Sequence, residues 1–170
     1  MNVGLVVHAG REASLDVART AARLLSQAGA GVVVTRPTDP DTDDTTALSA
    51  IATPVAPEDF AGRIDVALSL GGDGTFLRAA HLCRDAHVPV LGVNLGRLGF
   101  LAEVEVDALG PALDLVATGE YRVEERPTLE VEVCAPDGTT LATGWAFNEV
   151  SVEKTARQRL LHTDVYISKS

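Results

Sequence analysis

The sequence has 170 residues, of which 46% are hydrophobic and 4% aromatic, so it can form one ordinary domain, or one complete domain and part of another. Its formal net charge of −10 argues against binding to nucleic acid or to anionic membranes, since both require clustered Lys and Arg. A small phosphate ligand stays compatible with this charge, because backbone amides and a few arginines can bind it locally.

The first 122 residues alternate short apolar runs with amphipathic stretches. Strands are predicted at residues 3–7, 31–35, 66–70 and 88–93, and helices at residues 12–28, 75–86 and 107–118. The apolar helix positions are Leu15, Ala18, Ala22 and Leu25 in the first helix, Phe76, Ala80 and Cys83 in the second, and Leu109, Leu113 and Val116 in the third. This order predicts a layered α/β domain with a mainly parallel sheet over residues 1–122.

Residues 123–170 have the pattern of an all-β domain. Residues 128–134 alternate strictly between apolar and polar side chains, and residues 141–147 return across a Pro-Asp-Gly turn as the hairpin partner. Residues 150–153 and 160–168 are predicted to be further strands. Four short strands leave unpaired edges and little core, so we expect the region to be truncated, or completed by another chain.

The two cysteines predict a reducing compartment. Cys83 and Cys134 are far apart and form no Cys-x-x-Cys pair, which indicates two small buried thiols. The amino terminus lacks the features of a signal peptide, and no apolar run approaches the roughly 20 residues of a membrane-spanning helix. We therefore expect a cytoplasmic protein without membrane contact. His81, His87 and His162 share no metal-ligand spacing, so no structural zinc is expected.

A glycine-rich turn between a predicted strand and helix, Gly71-Gly72-Asp73-Gly74, is the clearest candidate for chemistry. Ligands of parallel α/β sheets bind at the carboxyl ends of strands, where helix amino termini favour phosphate. Because a carboxylate repels phosphate, Asp73 is better suited to accept a proton from an attacking hydroxyl, or to help hold Mg²⁺. The alternative is that Asp73 only caps the helix. The turn matches neither a P-loop nor a Gly-x-Gly-x-x-Gly loop.

The stretch GGDGTFLRAA resembles the signature of the NAD kinases, a motif also found in diacylglycerol and sphingosine kinases and, as a variant, in 6-phosphofructokinases. Three more stretches resemble NAD kinase segments: NLGRLGFLAE (94–103), YRVEERPTLEVEV (121–133) and FNEVSVEK (147–154). In the lipid kinases an Asn-Glu pair directly follows the glycine motif, whereas here it arrives far downstream. The resemblance covers nearly the whole chain but only about the first half of a typical family member.

The resemblance implies transfer of a phosphoryl group from ATP or polyphosphate, with Mg²⁺, to the adenosine 2′-hydroxyl of NAD. It makes Asp73 the proton acceptor or orienting carboxylate and brings the Gly74 backbone against the ligand. Arg78 can reach a phosphate, although a solvated helix face is its alternative. Dimers or tetramers are expected. No metal ligand set is expected from the protein alone.

Four further residues are implied in nucleotide binding, each with a plainer alternative. Phe100 can lie against the adenine or belong to the core. Asn148 and Glu149 can hold ribose hydroxyls or an amino group, or form a surface pair at a strand bend. Arg159 contacts the nucleotide by the resemblance, or lies in a polar turn. His8, which ends the first strand, is interpreted as a capping or solvent-facing residue.

Two other functions remain open on the sequence. The chain can belong to a different kinase with the same glycine motif, acting on a lipid or sugar phosphate. It can also be a non-catalytic nucleotide-binding fragment, because its β region is incomplete.

Overall fold

The computed structural model describes residues 1–8, 12–35, 48–95, 101–147, 149–153 and 163–167. They fall into two units, Met1–Glu124 and Glu125–Ser170. The first unit contains strands β1 (Asn2–Val7), β2 (Gly31–Thr35), β3 (Thr53–Val55), β4 (Val66–Gly71), β5 (Val90–Asn94) and β6 (Val104–Glu105). Its helices are α1 (Glu12–Gln27), α2 (Pro57–Phe60), α3 (Asp73–Cys83) and α4 (Leu109–Thr118).

The six strands form one sheet in the order β3-β2-β1-β4-β5-β6, and every neighbouring pair is parallel. From β1 the chain moves outward to β2 and β3, and then returns to place β4 on the other side of β1. The connections that leave β1 and β4 therefore diverge at the carboxyl edge of the sheet. In open α/β sheets this switch of direction creates the crevice in which ligands bind.

Helices cover both faces of the sheet. On one face, α1 and α4 pack with Leu5, Val34 and Leu68 in the larger apolar cluster. On the other face, α2 and α3 supply Phe60 and Ala79 to a second cluster. Strands that are buried on both sides need apolar residues at every position, which explains the continuous runs in β1, β2 and β4.

Helices α1 and α4 carry the predicted apolar faces. All of the positions named for the first and third helices are buried. Each helix is followed by a glycine in the left-handed region, Gly29 with φ 80° and Gly119 with φ 76°. A residue with a Cβ is strained in that conformation, so these glycines let the backbone leave the helix. The α/β fold class predicted from the sequence is confirmed.

Helix α3 begins two residues earlier than predicted, at Asp73, and its buried face is rotated. Thr75, Ala79 and Cys83 are buried, whereas Phe76 and Ala80 are only partly buried. The Phe76 ring lies over β5, where a Cβ on Gly92 would come within 2.9 Å of Phe76 Cδ2. The early start places Asp73 inside the first helical turn.

The two edge strands and α2 were not predicted. Strand β3 has three residues and contains Pro54, which is tolerated because β3 is an edge strand with only one partner. Strand β6 has two residues, and α2 has four. Elements this short contain no full period of an apolar pattern, so their formation depends on the neighbours they pack against.

The second unit contains one antiparallel hairpin, β7 (Leu129–Cys134) and β8 (Thr140–Ala146). Gly138 has φ 85° in the turn, and the Asp137 carboxylate accepts a hydrogen bond from the Thr139 amide at 2.9 Å. That hydrogen bond lowers the pKa of Asp137. Trp145 pairs with Glu130, so its side chain shares a face with the acidic residues rather than with Val131.

Two expectations for the second unit are wrong. The described residues 149–153 and 163–167 contain no strand. Cys134 is exposed, because the described residues of the second unit form no layer over the hairpin. Trp145 is only partly buried for the same reason. Cys83, by contrast, is buried as predicted.

Candidate active site

The turn between β4 and α3 contains glycines at positions where a side chain would be in the way. Gly72 is the residue before the helix, and its carbonyl accepts hydrogen bonds from the amides of Thr75 at 2.9 Å and Phe76 at 3.1 Å. Thr75 is buried directly against Gly71, where a Cβ would overlap the Thr75 hydroxyl and lie 2.7 Å from the Thr75 Cβ. A glycine at position 71 is therefore required by packing.

Asp73 is the first residue of α3 and is half-buried. The N-cap position belongs to Gly72, which has no side chain, so the capping alternative for Asp73 is wrong. The Asp73 Oδ1 accepts a hydrogen bond from the backbone amide of Leu101 at 3.2 Å. A negative charge at the first turn also interacts favourably with the helix dipole. The carboxylate is thus held at the carboxyl edge of the sheet by a contact from a distant segment.

Both ends of the second glycine-rich stretch form hydrogen bonds with the first stretch. The amide of Leu95 donates to the Gly71 carbonyl at 3.3 Å, and the amide of Leu101 donates to Asp73. Between them, residues 96–100 lie outside the described residues. The two glycine motifs singled out in the sequence therefore meet at the ends of β4 and β5.

Arg78 lies on α3 and is exposed, yet its guanidinium has a defined contact. Its Nη2 donates a hydrogen bond to the Thr35 hydroxyl at 3.1 Å. Thr35 ends β2 and is 1% exposed. Strand β1 lies between β2 and β4, so the side chain of Arg78 reaches across the end of β1.

His8 and Asn94 are polar residues at the same edge of the sheet. The His8 amide donates to the Leu70 carbonyl at 3.1 Å, beside the glycine turn. Its Nδ1 is enclosed and has no hydrogen-bond partner among the residues that the structure describes. His8 as a whole is partly exposed, so its interpretation as a capping or solvent-facing residue stays a prediction. Asn94 is buried and donates to Glu105 Oε1 at 3.4 Å.

Of the seven predicted site residues, three lie together on α3, one lies in the second unit, and three lie outside the described residues. Asp73, Gly74 and Arg78 come together on α3. Glu149 belongs to the second unit and is exposed. Phe100, Asn148 and Arg159 lie outside the described residues.

Two contacts of the site residues were not predicted from the sequence: that of Arg78 with Thr35 and that of Asp73 with the Leu101 amide. A threonine that closes an apolar strand at the ligand-binding edge is a signal that could have been noticed. A backbone amide leaves no mark in the sequence.

Metal-binding and membrane features are limited in the part of the chain that is described. It contains no group of three His, Cys, Asp or Glu side chains that could hold a metal ion. Nor does it contain a helix with the length and apolarity to cross a bilayer. A hollow of about 1200 Å³ between α1 and residues 49–53 lies by the amino end of β2, away from the glycine turn.

Comparison with known families decides between the kinases that share the glycine motif. The family model for the ATP-NAD kinase N-terminal domain matches residues 3–121. The chain belongs to the NAD kinase family. The matched range includes both glycine stretches and nearly the whole parallel sheet.

Bacterial NAD kinases are similar over nearly all of the chain. The NAD kinase of Corynebacterium diphtheriae is 44% identical over 164 residues, which are 96% of this chain and 52% of that protein. The NAD kinase of Mycolicibacterium paratuberculosis is 44% identical over 171 residues, or 96% of this chain and 55% of that protein. The chain thus spans about half the length of the curated NAD kinases it matches.

A solved structure shows that the NAD kinase fold is shared at low identity. The crystal structure of yeast NADH kinase complexed with NADH superimposes with a TM-score of 0.70 at 21% identity. The match covers 87% of this chain and 47% of the yeast protein. At this identity the likeness establishes the fold alone.

Proposed function

We propose that this chain is part of an enzyme that transfers the γ-phosphoryl group of ATP to the adenosine 2′-hydroxyl of NAD, giving NADP and ADP. The observation that carries the proposal is the family match over residues 3–121 together with an aspartate held at the switch point of the sheet. Kinases that act on lipids or sugar phosphates are not favoured, because the matched relatives are NAD kinases.

Asp73 acts on the attacking hydroxyl. Its Oδ1 is engaged by the Leu101 amide, and a carboxylate retains further lone pairs with which to accept the 2′-hydroxyl proton. The 2′-oxygen then forms a bond to the γ-phosphorus, and the bond from that phosphorus to the β–γ bridging oxygen breaks. ADP leaves with the electron pair. Since phosphoryl transfer depends mainly on positioning and charge neutralisation, Asp73 need not be a strong base.

The remaining site residues bind and orient the nucleotides. The Gly74 backbone approaches the ligand without a Cβ, and Arg78 binds a phosphate group. Phe100 contacts the adenine, Asn148 and Glu149 bind a ribose or an amino group, and Arg159 contacts the nucleotide. We assign the last three to the first part of an all-β domain that begins at residue 123 and contributes to the NAD site.

Magnesium fits this site as an ion that arrives with the nucleotide. Mg²⁺ is commonly held by one or two carboxylates, substrate phosphates and water, and Asp73 is a carboxylate at the turn where the phosphates are proposed to bind. The ion would neutralise phosphate charge during transfer.

The test uses the full-length enzyme with NAD, ATP and Mg²⁺, and it measures NADP formation. Asp73→Asn should lower kcat by about 10²- to 10⁴-fold, because it removes the proton acceptor. The amide oxygen of Asn can still accept the Leu101 hydrogen bond, so the melting temperature should change little. Asp73→Ala removes both functions, and it should also speed hydrogen exchange at the Leu101 amide.

Asp114→Asn is the matched control, because Asp114 is an exposed residue of α4 outside the site. It should retain the activity of the native protein. Full turnover by Asp73→Asn would overturn the mechanism. Activity with inorganic polyphosphate but not with ATP would change the proposed donor. Nucleotide binding without turnover by the 170-residue chain would identify it as a non-catalytic piece of the enzyme.

We also propose a cytoplasmic location and a dimeric or tetrameric assembly. Cys83 and Cys134 are both unpaired, as is usual in a reducing compartment. The exposed apolar residues of the hairpin support association, and light scattering of the full-length enzyme measures the assembly.

A further inference from the structure

A side-chain hydrogen bond between Thr35 and Arg78 joins the end of β2 to α3. Thr35 Oγ1 is a neutral acceptor, 3.1 Å from Arg78 Nη2, and its residue is 1% exposed. A guanidinium is planar and carries its five N–H donors in a fixed arrangement. A hydrogen bond from Nη2 to a buried hydroxyl therefore restricts the orientation of the other donors.

The described part of the chain provides no acidic partner for Arg78. Among the described residues no carboxylate lies within ion-pairing distance of its guanidinium, although Arg19 and Arg84 both have acidic partners. The chain contains 24 acidic and 14 basic residues, so carboxylates are abundant. A hydroxyl orients a cation without competing for its charge, and this leaves the cation able to bind an anion.

The contact lies on the α2–α3 face of the sheet at its carboxyl edge. Val33 belongs to the apolar cluster on that face, and the two-residue period of a strand puts Thr35 on the same side. Val6 belongs to the same cluster, so the same period puts His8 on that side of β1. The enclosed His8 Nδ1, which has no partner among the described residues, gains a hydrogen bond if a polar ligand reaches it.

We propose that Thr35 is a positioning residue, which holds the guanidinium of Arg78 across the end of β1 so that its remaining donors bind a phosphate group of a nucleotide. The proposal rests on the proposed function for the identity of that nucleotide. The two phosphate sources are NAD and ATP, which separate titrations distinguish.

The central variant is Thr35→Val in the full-length enzyme, since valine has a similar shape and no acceptor. Charge-assisted hydrogen bonds to phosphate are strong, and misorienting the guanidinium should raise the KM and Kd for one nucleotide roughly tenfold. The value of kcat should stay within about twofold, because Thr35 does not touch the reacting atoms. Thr35→Ser keeps the hydroxyl and should restore the native KM. If Thr35→Val does not fold, Thr35→Ala removes the same acceptor.

A double-mutant cycle with Arg78→Gln separates positioning from packing. Once Arg78 is replaced, Thr35→Val should have no further effect on nucleotide affinity. Thr53→Val, an exposed threonine at the start of β3, is the matched control and should match the native enzyme in KM. Calorimetric titrations with NAD and with a non-hydrolysable ATP analogue show which of the two nucleotides loses affinity.

Each outcome decides the proposal. A native KM for both nucleotides in Thr35→Val overturns it, and so does an equal loss of affinity in the Arg78→Gln background. A tenfold change confined to one nucleotide, restored by Thr35→Ser, supports it. If the enzyme shows no turnover but its nucleotide affinities still change as the double-mutant cycle predicts, the role of Thr35 is supported and the proposed function is contradicted. An enzyme that binds neither nucleotide contradicts both.

Discussion

At the scale of single residues, the two cysteines experience opposite environments. Cys83 packs on the inner side of α3 and is 1% exposed, whereas Cys134 ends β7 in contact with solvent. Burial raises the pKa of the Cys83 thiol from 9.0 to about 11. A thiol that stays protonated and enclosed is a poor nucleophile.

We therefore expect one fast-reacting thiol in the folded 170-residue chain at pH 8. Titration with a chromogenic disulfide should modify Cys134 rapidly and Cys83 only on unfolding. Cys134→Ser should abolish the fast phase, while Cys83→Ala should leave it unchanged. Two fast thiols in the native chain would contradict the burial of Cys83.

The same pKa shift predicts how stability depends on pH. Above about pH 9 the Cys83 thiol ionises in the unfolded chain but remains protonated in the folded one. The unfolded state then binds fewer protons, so the contribution of Cys83 lowers the free energy of unfolding between pH 9 and about 11. Cys83→Ala should remove this contribution in urea unfolding measured across that range.

Candidate site residues could be predicted where they belong to a sequence motif. Their hydrogen bonds with distant residues could not. Asp73 was singled out because it is a carboxylate among glycines at a strand end and lies in a motif that resembles the NAD kinase signature, and its catalytic role stays a prediction. Its hydrogen bond from the Leu101 amide could not be predicted, since 28 residues separate the two groups. Thr35 was missed because its role depends on Arg78 crossing a strand.

At the scale of elements, the glycines of the turn between β4 and α3 have different roles. A Cβ on Gly71 would overlap Thr75, whereas a Cβ on Gly74 would meet nothing within 4 Å. Gly74 also lies outside the positive-φ region, in the first turn of α3. One glycine is therefore needed for packing, and the other is available for close approach of a ligand.

Two substitutions separate these roles. Gly71→Ala should destabilise the chain by about 1–3 kcal/mol, because the new methyl group has no space beside Thr75. Gly74→Ala should leave stability unchanged or raise it by up to about 1 kcal/mol, since alanine favours the helix. In the full-length enzyme Gly74→Ala should nevertheless weaken NAD binding. Urea unfolding and calorimetry measure the two effects, and a stable Gly71→Ala protein would contradict the packing argument.

Helices and strands that are long enough to show an apolar pattern could be predicted from the sequence, whereas the short ones could not. Helices α1 and α4 span enough turns to show an apolar face, and β1, β2 and β4 are continuous apolar runs. The edge strands β3 and β6 are too short to show a period. The rotated face of α3 arises because Thr75 must pack against Gly71, a constraint that the apolar pattern does not contain.

At the scale of the whole molecule, the two units differ in how far they can stand alone. The described residues within 1–124 form the six-stranded parallel sheet, four helices and both apolar clusters. Residues 125–170 contain one described hairpin, in which Leu129, Val133 and Leu141 are 49%, 47% and 65% exposed. An isolated two-stranded hairpin is at best marginally stable in water.

We therefore expect residues 1–124 to fold without the second unit. A protein ending at Glu124 should unfold cooperatively, with a melting temperature within a few degrees of that of the 170-residue chain. A peptide of residues 125–170 should show no cooperative transition. Circular dichroism with thermal and urea unfolding measures both, and a non-cooperative 1–124 protein would contradict the expectation.

The α/β class was predictable because alternating strands and helices permit few arrangements. The absence of strands from the described residues 149–153 and 163–167 was not predictable, because a strand forms only where another strand pairs with it. Alternation between residues 128 and 134 correctly predicted a strand, but it could not show that the residues of β7 would be exposed on both faces.

The order of the strands has one consequence for how such proteins diverge. The divergence of the connections after β1 and β4 arises from the path of the chain, so the exchange of individual side chains does not remove it. Descendants can replace most of their amino acids and still inherit a place where a small molecule fits. The yeast protein, which shares this architecture at 21% identity, illustrates how much replacement the arrangement tolerates.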